Sequence, residues 1–343
     1  MLNFGFVLSC AIHRDPIGSK PRALLFATQG VEFLKSSKLT YTTNQMTTIA
    51  TDANSIRSVQ HSIEQSTRIQ IGLMSSLIQV QIMRRELDEA EENLNEMIKL
   101  CRSNEMILEW STTLLLLRAF IDHAQSNIPK ANEGYLAASL LSKPTEHTPW
   151  QLSLFHSNSD QNPKIYVQDS EMHIASSLAK FLLEISNDVT TLESFNHFID
   201  THIIQTDISP NIQAIIKLGQ GILSSSTITK SKQSLTHSLT LVSKSHDNHL
   251  KALLLTFLSQ VFINTHQNQA LQMLETGFAL SKKMGKVDNL TNKSFGNPIL
   301  NLWYGKQLEM IYEKSPKYIQ NYQKQTKLNE WNQYLVNKLF NDV

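Results

Sequence analysis

The sequence predicts an all-α protein: tetratricopeptide-like helical hairpins stacked into a superhelix, an α-solenoid. Three observations carry that reading. Apolar residues recur at i, i+3, i+4, i+7 along most of the chain, the spacing of a one-faced helix, and no stretch alternates as a β-strand would. The helices come in pairs separated by short polar breaks. In the second helix of each pair, small residues recur at fixed offsets, as a 34-residue helix–turn–helix repeat requires where two backbones approach closely.

Residues 1–36 read as the first such pair. Val7, Cys10 and Ala11 lie in its first helix, and Ala23, Ala27 and Gly30 in its second. Asp15-Pro16-Ile17-Gly18-Ser19 supplies the turn, and Pro21 suits the first turn of a helix. This pairing accounts better than a secretory signal for the apolar start, which has no basic segment before it. Residues 37–50 are polar and β-branched and read as a loop. Asp52 then caps a long helix running to about Arg85, with Ile56, Val59, Ile63, Ile69, Leu73, Leu77 and Val80 on its apolar stripe.

The next helix begins with Glu86, Asp88, Glu89, Glu91 and Glu92, acids that favour the positive end of the helix dipole and read as a solvated face. Ala90, Leu94 and Met97 form its small-residue stripe. A further pair follows, with Leu115, Ala119 and Asp122 facing Ala131, Tyr135 and Ala138, and Pro129 at the second helix start. Regularity then stops. Residues 142–168 hold three prolines and no period, which marks an insertion or boundary; Trp150, Leu152, Leu154 and Phe155 are expected to pin it to the array. The organisation expected is N-terminal repeats over 1–141, an irregular insertion over 142–168, and C-terminal repeats with a capping helix over 169–343.

Helices resume over about 169–186, 189–205, 210–223 and 230–245, with Ser209-Pro210-Asn211 as a clear start. From Asn248 the repeat pattern is at its clearest. Leu254, Phe257, Leu258 and Val261 stripe one helix; Ala270, Leu274 and Gly277 stripe the next, past a break at Asn264–Gln267. Tyr304, Gly305 and Leu308 repeat the idea. From Ser315 to Phe340 a last long helix offers Tyr318, Tyr322, Leu328, Trp331, Leu335 and Leu339 to close the final repeat.

Composition excludes several function classes. With 31 basic and 30 acidic residues there is no global field to demand nucleic acid or lipid. Two cysteines, Cys10 and Cys101, cannot build a disulfide framework and suit a reducing compartment. No apolar run reaches about 18 residues, so no bilayer span is expected. His197 and His202 are five apart and do not share a helix face; His246 and His249 beside Asp247 lack a recognisable third ligand, so no metal is expected. Gly219-Gln220-Gly221 has no strand before it, and no nucleophile elbow exists. The residues support neither an enzyme nor a cofactor. Between Lys282 and Lys338 there are ten lysines and four acids, interleaved with Trp303, Tyr304, Tyr312, Tyr318 and Tyr322. A nucleic-acid or chromatin surface is one reading; lysines at helix ends with aromatics in the core is the one preferred.

The run LLLTFLSQVFINTHQNQALQMLETGFALSKKMG, followed by GNPILNLWYGKQLEMIYEKSPKYIQNYQ, resembles the C-terminal repeats of the cohesin-loading factor family, the Mau-2-type tetratricopeptide subunit of the cohesin loader. ELDEAEENLNEMIKLC is similar to an earlier repeat of that family. Residues 142–168 and 285–295 depart from its pattern. The resemblance implies a non-catalytic nuclear adaptor whose groove wraps an extended N-terminal segment of the large HEAT-repeat loader subunit, and through it serves cohesin, chromatin and sister-chromatid cohesion. Repeat arrays line such a groove with the first helix of each pair. By register the groove positions are Leu116, Phe120, His123, Leu255, Ser259, Phe262, Leu302, Lys306 and Glu309. Two other readings remain open: a scaffold subunit of a proteasome-lid-like or signalosome-like complex, and a co-chaperone gripping a peptide carboxylate. The first calls for a winged helix after Ser315, the second for Lys and Asn in consecutive repeats, of which only Lys306 is present.

Overall fold

The computed structural model describes residues 17, 21–45, 53–142, 170–185, 192–203, 208–224, 227–245, 247–285, 296–314 and 316–341. Among them every named element is helical: α1 (Arg22–Gln45), α2 (Ala53–Met83), α3 (Leu87–Ser103), α4 (Ile107–Ala124), α5 (Ile128–Ser142), α6 (Ser170–Ile185), α7 (Leu192–Ile203), α8 (Pro210–Leu223), α9 (Ile228–Ser245), α10 (Asn248–Phe262), α11 (Gln267–Ser281), α12 (Pro298–Glu313), a 3-10 turn (Pro316–Tyr318) and α13 (Ile319–Asn341). The fold class is all-α: α1 packs on α2, α4 on α5, α5 on α6, and α8 to α13 each on the next, as hairpins of a repeat array. The segment after Ser315 is helix, not the strands of a winged helix. No described helix is long and apolar enough to cross a membrane.

The small-residue stripes lie where close helix approach needs them. Ala90, Met97, Ala131, Tyr135, Ala138, Ala270, Leu274 and Tyr304 are fully shut off from solvent. Three inter-helix turns share one design. Arg85, Glu105 and Ser126 adopt positive φ of 60°, 57° and 63°. In each case the following amide donates back across the turn: Glu86 to Gln81, Met106 to Cys101, Asn127 to Asp122. This is the Schellman closure, which satisfies carbonyls at a helix end. Two later helices start with side-chain caps, Asp247 accepting from the Leu250 amide and Asn297 from the Leu300 amide.

The chain forms two compact units. One comprises Glu91–Ser209. In it Leu116, Ala119, Ala131, Tyr135, Ala138 and Leu183 form a core from α4, α5 and α6, while Phe181 packs on Phe195 and Phe198 of α7. Arg118 bridges Glu91 at 2.6 Å and Asp122 at 3.2 Å.

The other unit comprises Met1–Ala90 with Pro210–Val343. One core layer runs through α8, α9, α10 and α11 around Ala214, Leu235, Leu254 and Ala270; the next runs through α10 to α13 around Leu274, Leu300, Tyr304 and Leu308. Tyr304 threads past Gly277 and donates to the Ala252 carbonyl, so one hydroxyl ties α10 and α12 across α11. A neighbour-only array would hold its ends apart, yet here residues far apart in sequence meet. The buried Arg84 guanidinium donates to the Gly285 carbonyl and to Glu86, and Ile17 forms a bridge with Met284.

Several expectations change. The expected loop at 37–50 is helical as far as Gln45. Weak formers such as Thr and Ser cost only tenths of a kcal/mol each, so an established helix continues through them (about 0.5 kcal/mol per residue). The acids at the head of α3 are not all a solvated face: Glu86 and Glu91 are ion-pair partners, whereas Asp88 and Glu92 are exposed. Trp331, expected to close the last repeat, faces solvent; Gln325, Asn329 and Asn332 are buried in its stead. The first helix of 1–36, Asp52 and nearly all of the 142–168 insertion lie outside the described residues.

Candidate functional site

The nine register-derived groove positions fall in both units. Leu116, Phe120 and His123 stand on α4; Leu255, Ser259 and Phe262 on α10; Leu302, Lys306 and Glu309 on α12. Leu116, Leu255, Ser259 and Phe262 are buried, Phe120, Leu302 and Glu309 half-buried, and only His123 and Lys306 exposed.

Their surroundings explain the difference. Phe120 packs edge-on against Tyr135, with ring centroids 5.7 Å apart, and His123 Nδ1 lies 3.1 Å from the Tyr135 hydroxyl. Burial, then Asp122, raises the Tyr135 phenol well above its ordinary range, so it stays protonated and available as a hydrogen-bond partner. Ser259 donates to the Thr256 carbonyl at 2.6 Å and is spent within its own helix. Phe262 carries the Lys232 ammonium 3.9 Å from its ring centre, a cation–π contact between α9 and α10. Glu309 accepts from Thr326 at 2.7 Å and Asn329 at 2.8 Å, so the terminal helix holds its carboxylate. Lys232, Thr326 and Asn329 were invisible to register reasoning, because each arrives from another helix at no fixed offset.

The histidine and cysteine groupings have structural surroundings. Among the described residues no three His, Cys, Asp or Glu side chains could hold a metal ion. Asp247 is the cap of α10. Burial lowers the His249 pKa, Asp247 opposes that shift and Arg85 adds to it, which favours the neutral imidazole. The Cys101 thiol is buried and pushed up to about 11, by desolvation and by Glu109, the opposite of what an attacking thiolate needs. The aromatics of the lysine-rich end behave as the preferred reading expected. Tyr304 and Tyr312 are buried, and Trp303, Tyr318 and Tyr322 pack partly buried against the same core.

Helical hairpins stacked on small residues, with side chains along first helices as the candidate contact surface, define a tetratricopeptide-like repeat protein. The model of one family, described as cohesin loading factor, matches residues 2–309, nearly all of the chain. The chain belongs to the cohesin loading factor family. That membership gives it a role in cohesin loading, a chromatin-related function of the nucleus, together with the loading machinery. No curated protein matches the sequence.

Proposed function

We propose that this chain is a non-catalytic adaptor subunit of the cohesin loader. Its repeats wrap an extended N-terminal segment of the large HEAT-repeat subunit, and the pair supports cohesin loading onto chromatin for sister-chromatid cohesion. The observation that carries the reading is the family match over residues 2–309, which spans the helical hairpins up to Glu309. Repeat arrays of this kind recognise extended chains along the surface of their first helices, where many modest contacts add up.

The test uses the two exposed groove positions, because substituting the buried ones would confuse binding with folding. His123→Glu and Lys306→Glu are introduced together, with Lys130→Glu, exposed on the second helix of its pair, as control. Recovery of the large subunit on co-purification should fall about tenfold in the double variant, a loss near 1.4 kcal/mol, and hold in the control. Equal recovery in both, with unchanged melting, overturns this assignment of the groove.

A further inference from the structure

The terminal helix α13 buries polar residues beside the partly buried Tyr322 and Leu328. Its buried positions Gln325, Asn329, Asn332 and Val336 are 6%, 3%, 3% and 9% exposed, so three of the four are amides. They recur at steps of four, three and four, the seam by which one helix lies along another. Its neighbour α12 accommodates this polar seam: Gly305 leaves room for Asn329, and Glu309 accepts from Asn329 and Thr326.

A second seam of the same period lies on roughly the opposite side of α13. It reads Lys324, Lys327, Trp331, Tyr334, Lys338, at steps of three, four, three and four. All five are exposed, and Trp331 and Tyr334, at 52% and 57%, stack with centroids 5.5 Å apart at 27°. Single exposed apolar residues are ordinary. Two stacked aromatics at the centre of a heptad-spaced stripe, with lysines a turn away on both sides, are a pattern. The only acid of the helix is Glu330. Lys282 lies close enough to Lys324 for the second ammonium to help depress its pKa, after burial, so positive charge gathers at that end. The whole helix lies beyond residue 309, where the family match ends.

We propose that the outward face of α13 docks an amphipathic helix of a partner protein. That helix lays apolar side chains on Trp331 and Tyr334 and carries carboxylates about one turn to either side, over the lysines. The stripe spans about 21 Å, or four turns, and the contact is the helix-on-helix mode of recognition. A second copy of this chain fits poorly. Parallel or antiparallel, it sets lysines against lysines. Nucleic acid would use the lysines but leaves the central ring pair, already stacked on itself, without a role.

The site is separate from the groove positions, so the two readings fail independently. A photo-crosslinking phenylalanine analogue replaces Tyr334 in the full chain in cells, with the same analogue at Gln272 of α11 as an exposed control, and the crosslinked peptides are sequenced by mass spectrometry. The expected product is a segment of another protein with heptad-spaced apolar residues flanked by Asp or Glu. Its yield should drop about tenfold with Lys327→Glu and Lys338→Glu together, and recover when the acids of that segment are changed to Lys. Crosslinks to this same chain, to nucleic acid or to a segment without flanking acids overturn the proposal. So does a yield indifferent to charge reversal, or none above the Gln272 control.

Discussion

A methyl group at Gly277 would sit 2.1 Å from the Tyr304 hydroxyl and 2.2 Å from its ring carbon, well inside contact distance. The missing side chain on α11 is therefore what lets Tyr304 of α12 reach the Ala252 carbonyl. Burial raises the phenol well above its ordinary pKa, so it remains a donor throughout the accessible pH range. Gly277→Ala gains helix propensity of nearly 1 kcal/mol. Overpacking costs about 1–3 kcal/mol, and the displaced hydroxyl loses its buried acceptor at a further ~1 kcal/mol or more. The net expectation is destabilisation by about 1–3 kcal/mol, measured by urea unfolding. Tyr304→Leu should destabilise on its own, and the double variant by less than the sum, because both substitutions break one contact. Strict additivity would show that the clash does not limit stability here.

At the scale of the element, the hairpins were legible where a small residue must face a helix, and illegible where the turn chemistry is atypical. Ala131, Tyr135 and Ala138, or Ala270 and Leu274, announce themselves by spacing, since only one side of each helix can be buried. The Schellman turns do not, because their left-handed positions are filled by Arg85, Glu105 and Ser126 where glycine is the common signal. The same limit explains α13. Trp331 suggested the buried face, but beside Tyr322 and Leu328 that face is held by amides, Gln325 donating to Asn329 and Asn329 to Glu309 while Asn332 Nδ2 has no partner, and a period of three and four runs along both sides. Of the groove positions, register could name the helix but not the exposure, which depends on partners such as Lys232 and Asn329 from other helices. Glu105 gives the test of the turn argument. It is exposed at the end of α3 with φ of 57°, where a side chain costs about 1 kcal/mol that glycine avoids. Glu105→Gly should raise stability by about 0.5–1 kcal/mol, whereas glycine at exposed Glu96, mid-helix, should lower it by a similar amount. The opposite sign at Glu105 would remove the closure as a determinant of the hairpin.

At the scale of the whole molecule, the unit built from residues 1–90 and 210–343 departs from one-dimensional stacking through Arg84. The guanidinium is among the most buried large side chains of the described residues. Glu86 lies 2.9 Å from its Nε, and its far end reaches the Gly285 carbonyl, 201 residues on. Beside that contact Gly285 and Gly296, at φ of 145° and 70°, meet so closely that a Cβ at Gly285 would lie 2.2 Å from the Gly296 carbonyl oxygen. A charge buried this deeply is tolerable only while fully paired, so its removal strands the Glu86 carboxylate and breaks the tie to the Gly285 carbonyl. Arg84→Met keeps much of the volume and should cost about 3–5 kcal/mol. In a strictly linear array such damage stays with its neighbours. Here the Arg84 contact joins the end of α2 to the turn after α11, so hydrogen exchange should quicken in both places, over residues 73–84 and 278–285. Faster exchange over 73–84 alone would show that the contact does not couple the two ends of the unit. Arg84→Lys should not rescue it, since one ammonium cannot span both the carboxylate and the carbonyl in the planar geometry a guanidinium provides.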